Sequence, residues 1–246
     1  MRQRSAAVLV WAFLGCHRAP LHTRDAIPGT LVSFDMVRVP AGNGIRPFMI
    51  GRTELLWEAY DAFVLSPPSV DTVGRRPADA VARPSRPYGA PDYGWGHRGY
   101  PAISVAREAA EAFCQWLSQR TGMTYRLPTD AEWAHVAALA RGTSSIDSLA
   151  WHAANAGGRT HAAASRAPDA LGLYDLFGNA AEWVTTADGQ RVTRGGSYRD
   201  APNVVGPNAR ATQDDSWNER DPQIPKSRWW LSDGPFVGFR LVRELP

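Results

Sequence analysis

Two carboxylates, Asp175 and Glu182, stand inside the stretch Leu171-Gly-Leu-Tyr-Asp-Leu-Phe-Gly-Asn-Ala-Ala-Glu-Trp183. Apolar side chains crowd around them: Leu171, Leu173, Tyr174, Leu176, Phe177 and Trp183. Two glycines and Asn179 supply the tight backbone between them. Carboxylates and turn carbonyls are the oxygen donors that a hard cation such as Ca²⁺ takes. The competing reading is that the two acids cap turns and face water. Among the histidines, His97 is the one whose position, in a glycine-rich stretch, could line a site; His135 reads as a surface residue on a helix. No two histidines share a helix at the four-residue spacing that would hold zinc or iron. A glycine-rich phosphate loop, paired-cysteine zinc spacing and a Gly-x-Ser-x-Gly elbow are absent as well.

The elements that must position these residues are short. Thr30–Val39 and Phe48–Arg52 read as strands around the turn Pro40–Gly44. In Thr53–Val64, Leu56, Tyr60, Phe63 and Val64 share one face of a helix. Ser66–Tyr100 holds six prolines and five glycines, reads as a long loop, and carries Tyr88, Tyr93, Trp95 and Tyr100 to pack it. Ala102–Val105 reads as a strand before a helix from Arg107 to Arg120, with Ala110, Phe113, Cys114 and Leu117 inward and Gly122 at its C-terminal cap. Tyr125–Leu127 is a strand. Thr129 and Glu132 then form a capping box for a helix to about Ala140, with Trp133 and Val136 inward. Arg191–Tyr198 is a strand ending in a glycine turn, and Gly234–Arg243 reads as one closing strand. Asp214–Trp230, with three tryptophans and many charges, is either a polar pocket wall or a packed loop whose charges pair locally.

The 246 residues suffice for one sizeable core. Nineteen prolines and 22 glycines point to irregular, turn-rich backbone rather than a helical bundle. Arg2 and Arg4 followed by the apolar run Ala6–Leu14 form a signal-peptide core too short to span a bilayer. Phe13-Leu14-Gly15-Cys16 resembles the bacterial lipobox, whose cysteine is acylated. The expected organisation is therefore a signal peptide over residues 1–16, a short tether over 17–28 and one domain over 29–246. Such a chain is an exported lipoprotein, held at the cell envelope or periplasmic face of a membrane through Cys16. Without Met1–Gly15 the formal charge falls from +3 to +1, which gives no footing for nucleic acid. With Cys16 acylated, Cys114 is the only thiol left, so no internal disulfide can form.

Leu127-Pro-Thr-Asp-Ala-Glu-Trp133, Gly172–Trp183, Arg194-Gly-Gly-Ser-Tyr198 and Val237-Gly-Phe-Arg240 occur in an order that resembles the sulfatase-modifying factor (formylglycine-generating enzyme) family. The resemblance covers about Leu31 to Arg243. It implies an α+β, irregular, C-type-lectin-like single domain with short strands, two main helices and much coil. It also implies a structural Ca²⁺ held by the side chains of Asp175 and Glu182 and the carbonyls of Gly178 and Ala180. The family's second calcium site is only half matched, by Asn155 and Ala156. The catalytic part departs from the pattern. Asp200 stands where the first copper-binding cysteine would be, no cysteine follows Cys114, and Ala181 replaces an active-site tryptophan. A carboxylate cannot replace the thiolate that Cu(I) selects, so copper is not expected; the resemblance leaves iron undecided. The catalytic candidates that remain are Ser197, Asp200 and His97. Two functions stay open: a divergent periplasmic oxidoreductase, or a non-catalytic, lectin-like module binding a small molecule, peptide or protein.

Overall fold

A computed structural model describes residues 21–66 and 91–246. The expected signal segment 1–16, with its expected acylation position Cys16, and most of the proline-rich stretch 66–100, including Tyr88, lie outside the described residues. Among the described residues, no helix is long and apolar enough to cross a membrane.

The expected α+β architecture is present as two small sheets with helices and much ordered coil. The first sheet has the order β1 (His22–Ala26), β2 (Ser33–Val39), β3 (Phe48–Gly51), β9 (Val242–Glu244) and β4 (Tyr125–Arg126). The second has the order β7 (Gly206–Thr212), β6 (Val192–Gly195), β5 (Ala181–Val184) and β8 (Val237–Gly238), with only β5 and β8 parallel. Helix α1 spans Trp57–Val64, α2 Arg107–Thr121, α3 Asp130–Ala140 and the single turn α4 Ile146–Leu149.

Several elements match the periodicity that predicts them. Helix α2 buries Ala110, Phe113, Cys114 and Leu117 and ends at Gly122 in the left-handed region. Helix α3 starts at the capping box: the Thr129 hydroxyl accepts the Glu132 amide, and the Glu132 carboxylate accepts the Thr129 amide. That carboxylate is also gripped by both terminal nitrogens of Arg126 at 2.7 Å, which ties the helix start to β4.

Other elements differ, each for a packing reason. His22–Ala26, expected within the tether, pairs antiparallel with β2, and Asp25 inside it accepts the Tyr125 hydroxyl at 2.7 Å. The helix expected from Thr53 begins only at Trp57. Leu55 instead donates to the Phe239 carbonyl and accepts from Ala102, so residues 53–56 run extended between other segments. Ala102–Val105 forms no strand: Val105 makes a single bridge, to Trp230, and Pro101 just before the segment bridges Leu56. The expected closing strand is two strands in different sheets, β8 and β9, with the chain crossing between them at Phe239–Leu241. His135 is buried rather than exposed, at 6 % accessibility, with Nε2 against the Pro40 carbonyl. Gly42 makes this possible, because a Cβ there would sit 2.7 Å from the imidazole.

Candidate functional site

The motif Leu171–Trp183 folds as coil up to Ala181 and then enters β5. Four of its residues, Gly172, Asp175, Gly178 and Asn179, are left-handed. The reversals turn the acids inward: Asp175 is 2 % exposed and Glu182 fully buried. They do not face water.

Glu182 is committed to protein partners. Its Oε1 accepts from Arg240 Nε at 2.8 Å and lies 2.7 Å from Nη2, while Oε2 accepts from Trp133 Nε1 at 3.0 Å. Arg240, also fully buried, donates further to the carbonyls of Gly51 and Tyr174 at 2.9 and 2.8 Å. One guanidinium thus ties β3, the acidic coil and β5 together. A third acid completes the cluster. Glu54, 1 % exposed, accepts the Ala180 amide at 2.9 Å and the Asn179 side chain at 3.0 Å. Desolvation, then the charge of Asp175, pushes the Glu54 carboxyl well above its usual range against the opposing pull of Arg240. Burial likewise raises Asp175 to about 6, against the Ala164 amide that donates to its Oδ2 at 2.7 Å.

These contacts test the calcium set drawn from the resemblance. Both Glu182 oxygens face donors, one of them a buried cation, and a Ca²⁺ at that carboxylate would sit against the Arg240 guanidinium. The set Asp175, Gly178, Ala180 and Glu182 does not fit the ion at its Glu182 end. Copper finds no fit at Asp200 either. Asp200 Oδ2 accepts the Ser197 amide and hydroxyl at 2.8 and 2.9 Å, so the pair closes a turn, with Ser197 fully buried. Cys114 is buried in α2, and desolvation pushes its thiol up, away from the thiolate form. Among the described residues, no three His, Cys, Asp or Glu side chains form a metal-holding group.

His97 is pinned elsewhere. Its Nδ1 lies 2.9 Å from Asp92 and its Nε2 2.7 Å from Asp61 on α1, and its ring stacks on Trp57 at 5.0 Å. Desolvation opposes the charged ring, but the bonds to Asp61 and Asp92 outweigh it, and the imidazole is held above its ordinary value. A raised histidine stabilises the fold fully below its unfolded pKa, and that contribution is lost as pH rises through the folded value. The protein should therefore lose stability between mildly acidic and alkaline pH. The loss should stay below about 1 kcal/mol, because the three groups are partly exposed and screened. His97→Phe keeps the stack on Trp57 and should flatten that part of the pH profile in thermal melting; an unchanged slope would assign it to other groups.

The segments expected to frame a site do come together. Trp95 meets Tyr198 edge-on at 5.4 Å, Tyr93 donates to the Ser232 carbonyl at 3.0 Å, and Trp57 stacks near Trp230 at 6.3 Å. Within Asp214–Trp230 the charges pair locally: Arg220 with Asp233, Lys226 with the carbonyls of Asn218 and Glu219, and Asp221 with the amides of Gln223 and Ser227. Trp217, Trp229 and Trp230 are buried. This is a packed loop, not a polar wall.

Glu54 also lines the main open space. A cleft of about 590 Å³ runs between the β2–β3 face, the extended segment Thr53–Leu56 and the loop before Pro101. Val32, Phe34, Leu55, Leu56 and Leu241 give it an apolar floor, with the fully exposed Leu31 at its edge. Arg24, Asp35, Glu58 and Arg98 supply charge around it. Glu58 Oε1 accepts the Gly99 amide at 2.8 Å, while its buried Oε2 has no partner. Neither Glu54 nor Glu58 stands out in the sequence. Both fall in a stretch whose apolar spacing reads simply as amphipathic helix, and only the straightening of residues 53–56 separates their roles.

With this geometry in view, the comparison with known proteins is direct. The model of the sulfatase-modifying factor enzyme 1-like domain matches residues 28–245. The chain belongs to that family. Solved structures agree on the fold. Treponema denticola variable protein 1 is 20% identical over 92% of this chain and 100% of its own, at a TM-score of 0.64. PvdO from Pseudomonas aeruginosa is 21% identical over 91% of each chain, at 0.53. CarF is 22% identical over 84% of this chain and 89% of its own, also at 0.53. No curated protein matches the chain.

Proposed function

We propose that this family member is a non-catalytic binding domain whose 590 Å³ cleft takes a small amphipathic molecule. The observation that carries the reading is the lining of that cleft, an apolar floor with Arg24 and Arg98 among the charged residues around it. Binding sites of this size pair apolar walls with a few oriented polar groups. The ligand class that fits has an apolar body and an anionic group for Arg98 or Arg24. Oxidative chemistry has less support. Ser197 and Asp200 satisfy each other, His97 is held between two acids, and the Cys114 thiol is buried.

The domain would work at the cell envelope, exported and tethered by an acyl chain on Cys16. The support for that is the charged start at Arg2 and Arg4, the apolar run Ala6–Leu14 and the lipobox-like Phe13–Cys16.

8-Anilinonaphthalene-1-sulfonate, an apolar anion with one amine donor, is a suitable probe. It should bind the folded protein, and Leu31→Asp or Arg98→Glu should weaken it by about tenfold or more, a change of about 1.4 kcal/mol. Both positions are exposed, so the fold should persist. Unchanged affinity in both variants would remove the cleft as the site. Oxygen uptake with cysteine-containing peptides and Cu(I) would overturn the non-catalytic reading.

A further inference from the structure

Arg98 of the cleft follows directly on His97, whose ring bridges two carboxylates. Nδ1 lies 2.9 Å from Asp92 Oδ2 and Nε2 2.7 Å from Asp61 Oδ2 on α1, while the Trp57 indole stacks on the ring at 5.0 Å. An ionised carboxylate only accepts hydrogen bonds, and an imidazole carries a proton on both nitrogens only as the cation. Charged His97 therefore satisfies both acids. Neutral His97 must turn a lone pair towards one of them, and that contact becomes repulsive.

The backbone around the ring can respond. Gly96 and Gly99, at φ +145° and +78°, flank residues 97–98 and give that short step freedom on each side. Its flanks are held independently: Trp95 meets Tyr198 edge-on, and Gly99 donates to Glu58 at 2.8 Å and accepts the Ala163 amide at 2.9 Å. Between these anchors, the tie to α1 is the His97 ring, beside a local bond from the Tyr100 amide to the His97 carbonyl at 3.1 Å. Among the described residues Arg98 makes no hydrogen bond or ion pair of its own. The place of its guanidinium thus follows from this backbone.

We propose that His97 is a proton-operated latch for the cleft: its cationic bridge from Asp61 to Asp92 holds Arg98 at the cleft, and loss of the proton releases it. The inference rests on the reading of the cleft as a binding site, and adds that anionic ligands bind less tightly as pH rises. The groups facing the ring are Asp61 and Trp57 from α1 and Asp92 from its own segment, with Arg98 beside it and Glu58 one turn before Asp61. Desolvation disfavours the charged ring, but the two acids outweigh it and place the change above the ordinary histidine range. The held form is the protonated one, so binding is full below that change and declines as pH rises through it.

8-Anilinonaphthalene-1-sulfonate, whose sulfonate stays charged throughout, is the probe. Between about pH 6 and pH 9 its affinity for the wild-type protein should fall about fivefold or more, as the fraction with Arg98 in place shrinks. Glu54 also lines the cleft and is itself held above the usual carboxylate range by burial, so two variants assign the change. Asp61→Asn offers neutral His97 an amide donor, which keeps both ring nitrogens satisfied, and its affinity should stay at the acid value across the range. His97→Phe keeps the stack on Trp57 without the bridge, and its affinity should stay at the low, alkaline value. A pH profile in either variant that still follows the wild type would overturn the latch and leave the cleft standing. The latch is also read without ligand, from protection of the Tyr100 amide against hydrogen exchange. That protection should fall with rising pH in the wild type and hold in Asp61→Asn; equal protection in the two would overturn the latch even where the probe binds nowhere.

Discussion

Arg240→Met should destabilise the protein by about 3–5 kcal/mol, the largest single effect expected outside backbone reversals. The substitution removes every donor that Arg240 gives to Glu182, Gly51 and Tyr174. Glu182 would be left fully buried with Trp133 Nε1 as its remaining partner. Burying the ion pair was itself expensive, so the loss measures the cost of stranding one charge rather than the net worth of the pair. A double-mutant cycle separates the two: Arg240→Met with Glu182→Met should recover much of the loss, because no uncompensated charge remains. Urea unfolding at neutral pH reads all three variants. A cost for Arg240→Met below about 1 kcal/mol, the range of an exposed pair, would show that the guanidinium does not hold these segments together.

Gly178→Ala should rank beside it. Gly178 adopts φ +77°, and an added Cβ would sit 2.2 Å from the Trp151 carbonyl oxygen. The left-handed conformation alone costs a non-glycine residue about 1–2 kcal/mol. The clash is with backbone, not with the end of a flexible side chain, so the coil must also shift. That shift would disturb Asn179, whose amide donates to the same Trp151 carbonyl at 2.9 Å. A total loss above about 2 kcal/mol in urea unfolding is expected. A loss of only a few tenths would mean the coil around Gly178 moves freely and cannot be the fixed centre of the fold.

Both expectations rest on the acidic coil, and the sequence reveals that coil only in part. Its glycines, asparagine and flanking aromatics mark tight, inward-facing backbone, and the four ordered motifs point to the family. The capping box at Thr129 and the apolar stripe of α2 are equally legible, because each depends on residues three or four apart in the chain. What could not be read depends on distant partners. Glu182 looks like a cation ligand until Arg240, 58 residues later, is seen against it. Glu54 looks like a helix-surface acid until residues 53–56 are pulled straight by Phe239 and Ala102. The alternation of Gly234–Arg243 is real, but a period of two does not say which sheet each half joins. His135 carries no local mark of burial, since the cover comes from the Pro40 turn.

The buried cluster and the cleft share one segment. Glu54 accepts from Ala180 and Asn179 in the cluster and also lines the cleft, together with Leu55, Leu56 and Glu58. The backbone bonds of Leu55 to Phe239 and Ala102 hold this strand-like piece extended. The proposed function therefore rests on the cleft rather than on the motif that identifies the family.

The most direct test is amide chemical-shift mapping of the wild-type protein titrated with 8-anilinonaphthalene-1-sulfonate. The shifts should centre on Leu31–Asp35, Thr53–Ala59 and Arg98, the segments that line the cleft. Shifts centred instead on Ser197–Trp230, with residues 31–35 and 53–59 silent, would contradict the account.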